Sequence, residues 1–199
     1  TLAMVLGMSI TTFAAGEGTI QVNNLHENAQ IQIVQIIKPD TEAKTGWTFT
    51  DLAGKEFLAA MQVAFAGASD QDIIAGLIKL QTPDATFPNN VDITPVDIST
   101  SQYETALAAV SSYPAAVTAT GTSYTYTITD TENGAGVYAV KGTDTEEFVY
   151  SPMAAYISFA TYDATTGKPS ALGTGTINAK KTTKKTEKTA KEETAGVDK

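Results

Sequence analysis

Two hydrophobic periods share this chain, and their order limits the folds open to it. Near the start the repeat is every second residue. GTIQVNN sets Ile20 and Val22 against Thr19 and Gln21, and QIQIVQIIK puts Ile31, Ile33 and Gln35 on one face. β-branched residues at that period predict half-buried strands. The turn-like LHENA between the two runs predicts an antiparallel hairpin or neighbouring strands. Over residues 50–80 the period changes. Phe57, Leu58, Met61 and Phe65, then Ile73, Ile74, Leu77 and Ile78, recur at helical spacing. Thr50-Asp51 offers an N-cap, and Gly67 with Ser69-Asp70 splits the block into two helices. A third helix is expected over 100–112, with Tyr103, Ala106, Leu107 and Val110 on one face and Pro114 beyond its end. Three prolines make 82–99 an extended loop.

Period two then returns. SYTYTITD alternates Tyr124, Tyr126 and Ile128 with Thr, and Asn133-Gly134 in ENGAG predicts a tight hairpin turn into VYAVKG. EFVYSPMAAYISFATYD reads as two short strands or one long strand bent near Pro152. TTGKP is a turn, and ALGTGTINA is the last strand. Strands, then helices, then strands predict a mainly β fold: an Ig-like antiparallel β-sandwich with a helical insertion between early and late strands.

Charge divides the chain a second time. The net charge is −9, and every cation is Lys, since there is no Arg. Residues 180–199 hold seven Lys and four acids, a net of +3, so residues 1–179 carry −12. The tail has no Ile, Leu, Phe or Tyr to bury. Such a split predicts a boundary between a folded domain over 15–179 and a Lys-rich linker over 180–199. At the other end, LAMVLGMSITTFA is an apolar run too short to span a bilayer. It reads as the remnant of a secretory signal peptide over 1–14, with Thr12 and Ala14 as the small residues before the cut. The other reading is a buried first strand or helix.

What is missing narrows the chemistry. Without Cys there is no disulfide framework, thiolate metal site or Cys nucleophile, and one His cannot build a multi-His site. Negative charge repels phosphate backbones, and without Arg no guanidinium reads guanine. No cofactor, metal or nucleic-acid partner is expected, and no enzymatic activity. His26 reads as an exposed turn residue. The ENGAG segment lacks the third Gly and the helix of a dinucleotide loop. Asp70, Asp72, Asp84, Asp92 and Asp97 lack the spacing of a calcium loop and read as solvated acids. Trp47 reads as a core residue between sheet and helix, with a carbohydrate platform as the alternative.

Lysine near asparagine offers one more reaction. In a dry core a neutral Lys amine attacks an Asn carboxamide, an amide forms and ammonia leaves. Burial favours the uncharged amine and a protonated acid beside it. Lys38 at a strand end and Asn178 in the last strand are the candidates for such an isopeptide bond.

Taken together, GTIQVNN…AQIQIVQIIKPD after a signal peptide, the Trp segment leading into helices, ENGAGVYAV, FVYSPMAAYISF and TINAKKTTKKTEKT carry a resemblance. The chain resembles the N-terminal domain of major pilins, the backbone fimbrial subunits of Gram-positive bacteria. The resemblance spans the mature part and rests on the order of the pieces. It implies a secreted shaft subunit of a cell-surface, wall-anchored pilus. Its partners are neighbouring subunits and a pilus-specific sortase. It implies that a Lys at the domain exit attacks the acyl-enzyme made from the next subunit's sorting motif. Lys180 is the first choice for that linkage and Lys181 the second. A common pilin motif there is Tyr-Pro-Lys-Asn, and Ile177-Asn178-Ala179-Lys180-Lys181 matches only its Lys. Lys188, in TEKT, resembles the isopeptide lysine of a following domain, which implies that 180–199 opens a truncated second domain. An exposed ammonium is a weak nucleophile, so the sortase must supply the activation. A second function stands beside this one: an adhesin or pilus-tip domain holding host glycan or protein through exposed Trp47, Tyr103 and Tyr113. A secreted hydrolase using Ser or paired carboxylates is a third.

Overall fold

The computed structural model describes residues 16–87, 91–144 and 147–184. The expected signal remnant and Lys188 lie outside these residues. The chain opens with β1 (Gly18–Asn23), β2 (Gln30–Pro39) and β3 (Trp47–Phe49). Three helices follow: α1 (Ala53–Ala64), α2 (Asp70–Gln81) and α3 (Thr100–Ala108). Then come β4 (Val117–Thr118), β5 (Tyr124–Ile128), β6 (Gly136–Thr143), β7 (Phe148–Tyr150) and β8 (Met153–Ile157). The last strands are β9 (Phe159–Tyr162), β10 (Pro169–Leu172), β11 (Thr174–Asn178) and β12 (Lys181–Thr183). The fold is mainly β with a helical insertion, as expected. β12 carries strand structure past residue 179, where the sequence placed the boundary.

The strands form a three-stranded sheet, β11-β1-β5, and a larger one, β12-β7-β6-β2-β3, with β4 on β2 and β8 on β6. β9 and β10 form a separate hairpin around the expected TTGKP turn. All pairs are antiparallel except β1 with β11. Two expected hairpins are corrected. β1 and β2 lie in different sheets, and so do β5 and β6. Asn133-Gly134 therefore makes a corner between sheets. A two-residue hairpin turn needs positive φ, and neither residue has it. Asp130 folds the corner instead: its carboxylate accepts from the Glu132 and Asn133 amides, and its carbonyl accepts from Gly134 N–H. Tyr138, inside β6, donates its hydroxyl to the Gly134 carbonyl at 2.7 Å. An Ig-type tyrosine corner works the same way. Burial pushes the Tyr138 phenol well above its ordinary range.

β6 explains the layering. Residues 136–140 are all buried, so the strand is covered on both faces. Tyr138 and Val140 join Ile20, Val22, Ile31 and Ile33 in the core between the sheets. Val137 and Ala139 face the other way, against Phe57, Met61, Ile73 and Ile74 of the helices. The molecule is thus sheet, sheet, helices. β2 serves both cores by slipping its register between Gln35 and Ile37. The extra residue, Ile36, is fully buried with Ile37 on the helical side. Gly136 sits opposite, at φ 129°, where a Cβ would come within 2.0 Å of the Ile37 carbonyl oxygen. Only Gly fits there.

The helices are closed by polar ties. Thr50, the expected cap, accepts from Gly54 N–H at 2.9 Å and donates to the Gln35 carbonyl at 2.8 Å. Ser69 caps α2, and Ser99 with Gln102 forms a capping box on α3. The segment before α3 straps across α2: Thr94 N–H donates to the Asp72 carboxylate and Val96 N–H to the Asp72 carbonyl. A Cβ on Gly76 would lie 2.4 Å from the Val96 carbonyl oxygen, so the strap packs directly on the helix backbone. Glu56 of α1 accepts from the amides and hydroxyls of both Ser111 and Ser112. Those donors, the Ser112 hydroxyl foremost, lower its pKa to about 2.

Candidate functional site

The domain exit is where the expected site residues gather. β11 runs beside β1, with Asn178 opposite Asn23. Ala179 is buried, and its N–H donates to the Asn23 carbonyl at 2.9 Å. The chain then crosses to the larger sheet, where Lys181 opposes Tyr150 in the β12–β7 pair. Lys180 stands on this crossing. Its carbonyl accepts from Ser151 N–H at 2.9 Å, while its side chain is exposed. The backbone around Lys180 is fixed and its amine makes no hydrogen bond or ion pair with any described residue.

Lys181 differs. Its ammonium donates to the Asn24 carbonyl at 2.8 Å and to the Asn24 side-chain oxygen at 3.1 Å, and it lies 5.3 Å from the centre of the Phe148 ring. Asn24 binds the exit a second time by donating its amide to the Ala179 carbonyl at 2.8 Å. It can do so because it sits at φ 62°, a left-handed turn that Asn tolerates. Lys184 donates to the Asp144 carbonyl at 2.6 Å. The exit therefore presents one uncommitted lysine between anchored neighbours.

Lys38 and Asn178 are not brought together. Lys38 opposes Thr48 in the larger sheet, and Asn178 is an exposed residue of the three-stranded sheet. Asn178 pairs at the end of β1 from which the chain turns into β2, and Lys38 lies near the far end of β2. At a rise of roughly 3.3 Å per residue, they sit about 25 Å apart along the strands. The dry pocket that the reaction needs is absent at Asn178.

His26 is not the plain turn residue that the sequence suggested. Its Nδ1 lies 2.6 Å from the Asp144 carboxylate, and its Nε2 lies 3.7 Å from Glu147. Phe148 meets the ring edge-on, and His26 N–H donates to the Tyr150 hydroxyl at 2.8 Å. Nothing local signals this, because the partners are 118 residues or more along the chain. The second nitrogen faces another carboxylate where a triad would place a hydroxyl or thiol, so the group pairs charge and ties the β1–β2 loop to β7. Of the five dispersed acids, Asp72 is engaged by the strap, and no group of three or more metal-binding side chains occurs among the described residues.

The rings offered as a binding platform are not laid out as one. Trp47 is half-buried, stacks on Phe159 at 6.2 Å and meets Tyr156 edge-on. Tyr103 packs edge-on against Phe57. Burial pushes the phenols of Tyr103 and Tyr113 up to about 12, with the Glu56 charge adding to Tyr113. Such burial counts against the adhesin reading.

No family model matches the sequence, and no curated protein matches it. Among solved structures, it is similar to the T6 backbone pilin of serotype M6 Streptococcus pyogenes, described as a modular three-domain structure with variable loops and extensions. The TM-score is 0.40 and the identity 13%. The match covers 85% of this chain and 29% of that one, so the chain spans less than a third of that pilin's length.

Proposed function

We propose that this chain is the N-terminal part of a structural shaft subunit of a cell-surface pilus, joined to its neighbours by a sortase through Lys180. The exit geometry carries the reading. Lys180 is exposed and uncommitted, while the residues on both sides of it are held by backbone hydrogen bonds. A fixed backbone presents the amine at one place without occupying it. The amine attacks the carbonyl of the acyl-enzyme formed from another subunit's sorting motif. An amide forms, the enzyme's own nucleophile leaves, and the amine's protons pass to the enzyme or solvent. Lys181 is the lesser candidate because attack would first break its contacts to Asn24.

The test is polymerisation of the full-length subunit in cells that carry its sortase, read as detergent-resistant ladders. Lys180→Ala is expected to abolish the ladders and Lys181→Ala to leave them. The reverse pattern moves the linkage to Lys181. Ladders that persist in the double variant overturn the reading.

A further inference from the structure

A cavity of about 140 Å³ lies between α2 and the sheet, away from the exit. Ile37, Ile74, Leu77 and Val137 form its apolar wall, with Trp47 and Tyr103 as its aromatic one. No charged residue lines it, and its exposed polar residues are Gln81 and Thr82. An engineered apolar cavity of about 150 Å³ stays dry and takes up benzene, so this volume suits a single six-membered ring. A polyol is a poor occupant, because its hydroxyls would lose water against an aliphatic wall without gaining partners.

One group in the wall gives the occupant a polar feature. The Tyr103 side chain is buried, yet its hydroxyl makes no hydrogen bond with any described residue. Every other buried tyrosine need not behave so: Tyr138 satisfies its hydroxyl on Gly134. A buried phenol without a partner is costly, and an acceptor arriving with a ligand removes that cost. We propose that this cavity is a binding site for a small neutral ligand, one aliphatic or aromatic ring carrying a single hydrogen-bond acceptor that Tyr103 engages. The site is independent of the pilus reading, since none of its residues belongs to the exit.

The protein supplies its own reporter, because Trp47 is the single Trp and lines the cavity. Its indole N–H gives one NMR resonance. Cyclohexanone serves as the probe with an acceptor, and benzene as the ring without one. Cyclohexanone is expected to shift the indole resonance saturably. Tyr103→Phe keeps the ring against Phe57 and is expected to weaken cyclohexanone by about fivefold while leaving benzene unchanged, the loss of roughly one hydrogen bond. Ile78→Phe, which fills the cavity from its half-buried side, is expected to abolish both shifts. A non-saturable response to both probes overturns the site. Equal weakening of both probes in Tyr103→Phe overturns the role of the hydroxyl.

Discussion

The larger sheet is packed on both faces, but the two faces are held in different ways. Toward the smaller sheet, contact is strand against strand, with Ile20, Val22, Ile31, Ile33 and Val140 interleaved and one buried phenol pinning a corner. Toward the helices, contact is apolar in the middle and polar at every margin: Thr50 on α1, Ser69 on α2, the box at Ser99, and Glu56 clamping the two serines after α3. Strands gain their order from neighbours that are already in register. Short helices leave unpaired groups at both ends and need dedicated side chains to satisfy them. The same strand, β6, feeds both cores, so the layers share stability even though they are secured differently.

That sharing is exposed to a severe test by Phe57→Ala. Phe57 is fully buried between Phe49 and Tyr103. Its removal is expected to cost about 3–5 kcal/mol. Because β6 couples the layers, far-ultraviolet dichroism and Trp47 fluorescence should still report one coincident urea transition, only earlier. Two separated transitions would show that the helices melt alone and that the layers are independent.

Tyr138→Phe asks about the sandwich side. The ring remains in the core, and the Gly134 carbonyl loses its donor. The expected loss is about 1–3 kcal/mol, the cost of a buried acceptor left unmade. Tyr162→Phe, at an exposed position, is the control and should change little. Equal urea midpoints for the two variants would show that the corner is held by Asp130 without Tyr138.

How far the sequence revealed this arrangement depends on the range of the signal. The helices are legible because caps and apolar spacing are local: Ser69, Ser99 and the Phe57–Met61 stripe sit within a few residues of what they govern. Strand existence is legible for the same reason. Strand partners are not. Alternation in GTIQVNN says that one face is buried, and it is equally satisfied by pairing with β2 or by lying between β5 and β11. At the exit, the Lys cluster is visible as composition, but its division into free Lys180 and anchored Lys181 depends on Asn24, about 155 residues earlier. His26 and Asp144 are hidden alike. Glu56 reads as an ordinary helix-surface acid until Ser111 and Ser112 arrive over it.

Acid sharpens the contrast between the layers, with a smaller effect. Glu56 has a pKa near 2 in the folded chain, against an ordinary value of 4.5. A carboxylate lowered on folding stabilises the fold fully above the ordinary value, and that contribution is lost as pH falls toward 2. Asp130 at the sandwich corner is lowered as well, by the Asn133 amide first, so both layers lose something in acid. Glu56→Gln isolates the helical share. At neutral pH the variant is expected to be less stable than the parent, because the amide cannot accept four donors as a carboxylate does. Between pH 5 and pH 2 the two urea midpoints should converge, since protonation brings the parent to the same neutral state. Hydrogen exchange should place the difference at α1 and at residues 109–113, with β1 and β5 unaffected. Midpoints that stay parallel down to pH 2 would mean that the four hydrogen bonds at Glu56 add nothing specific to its charge.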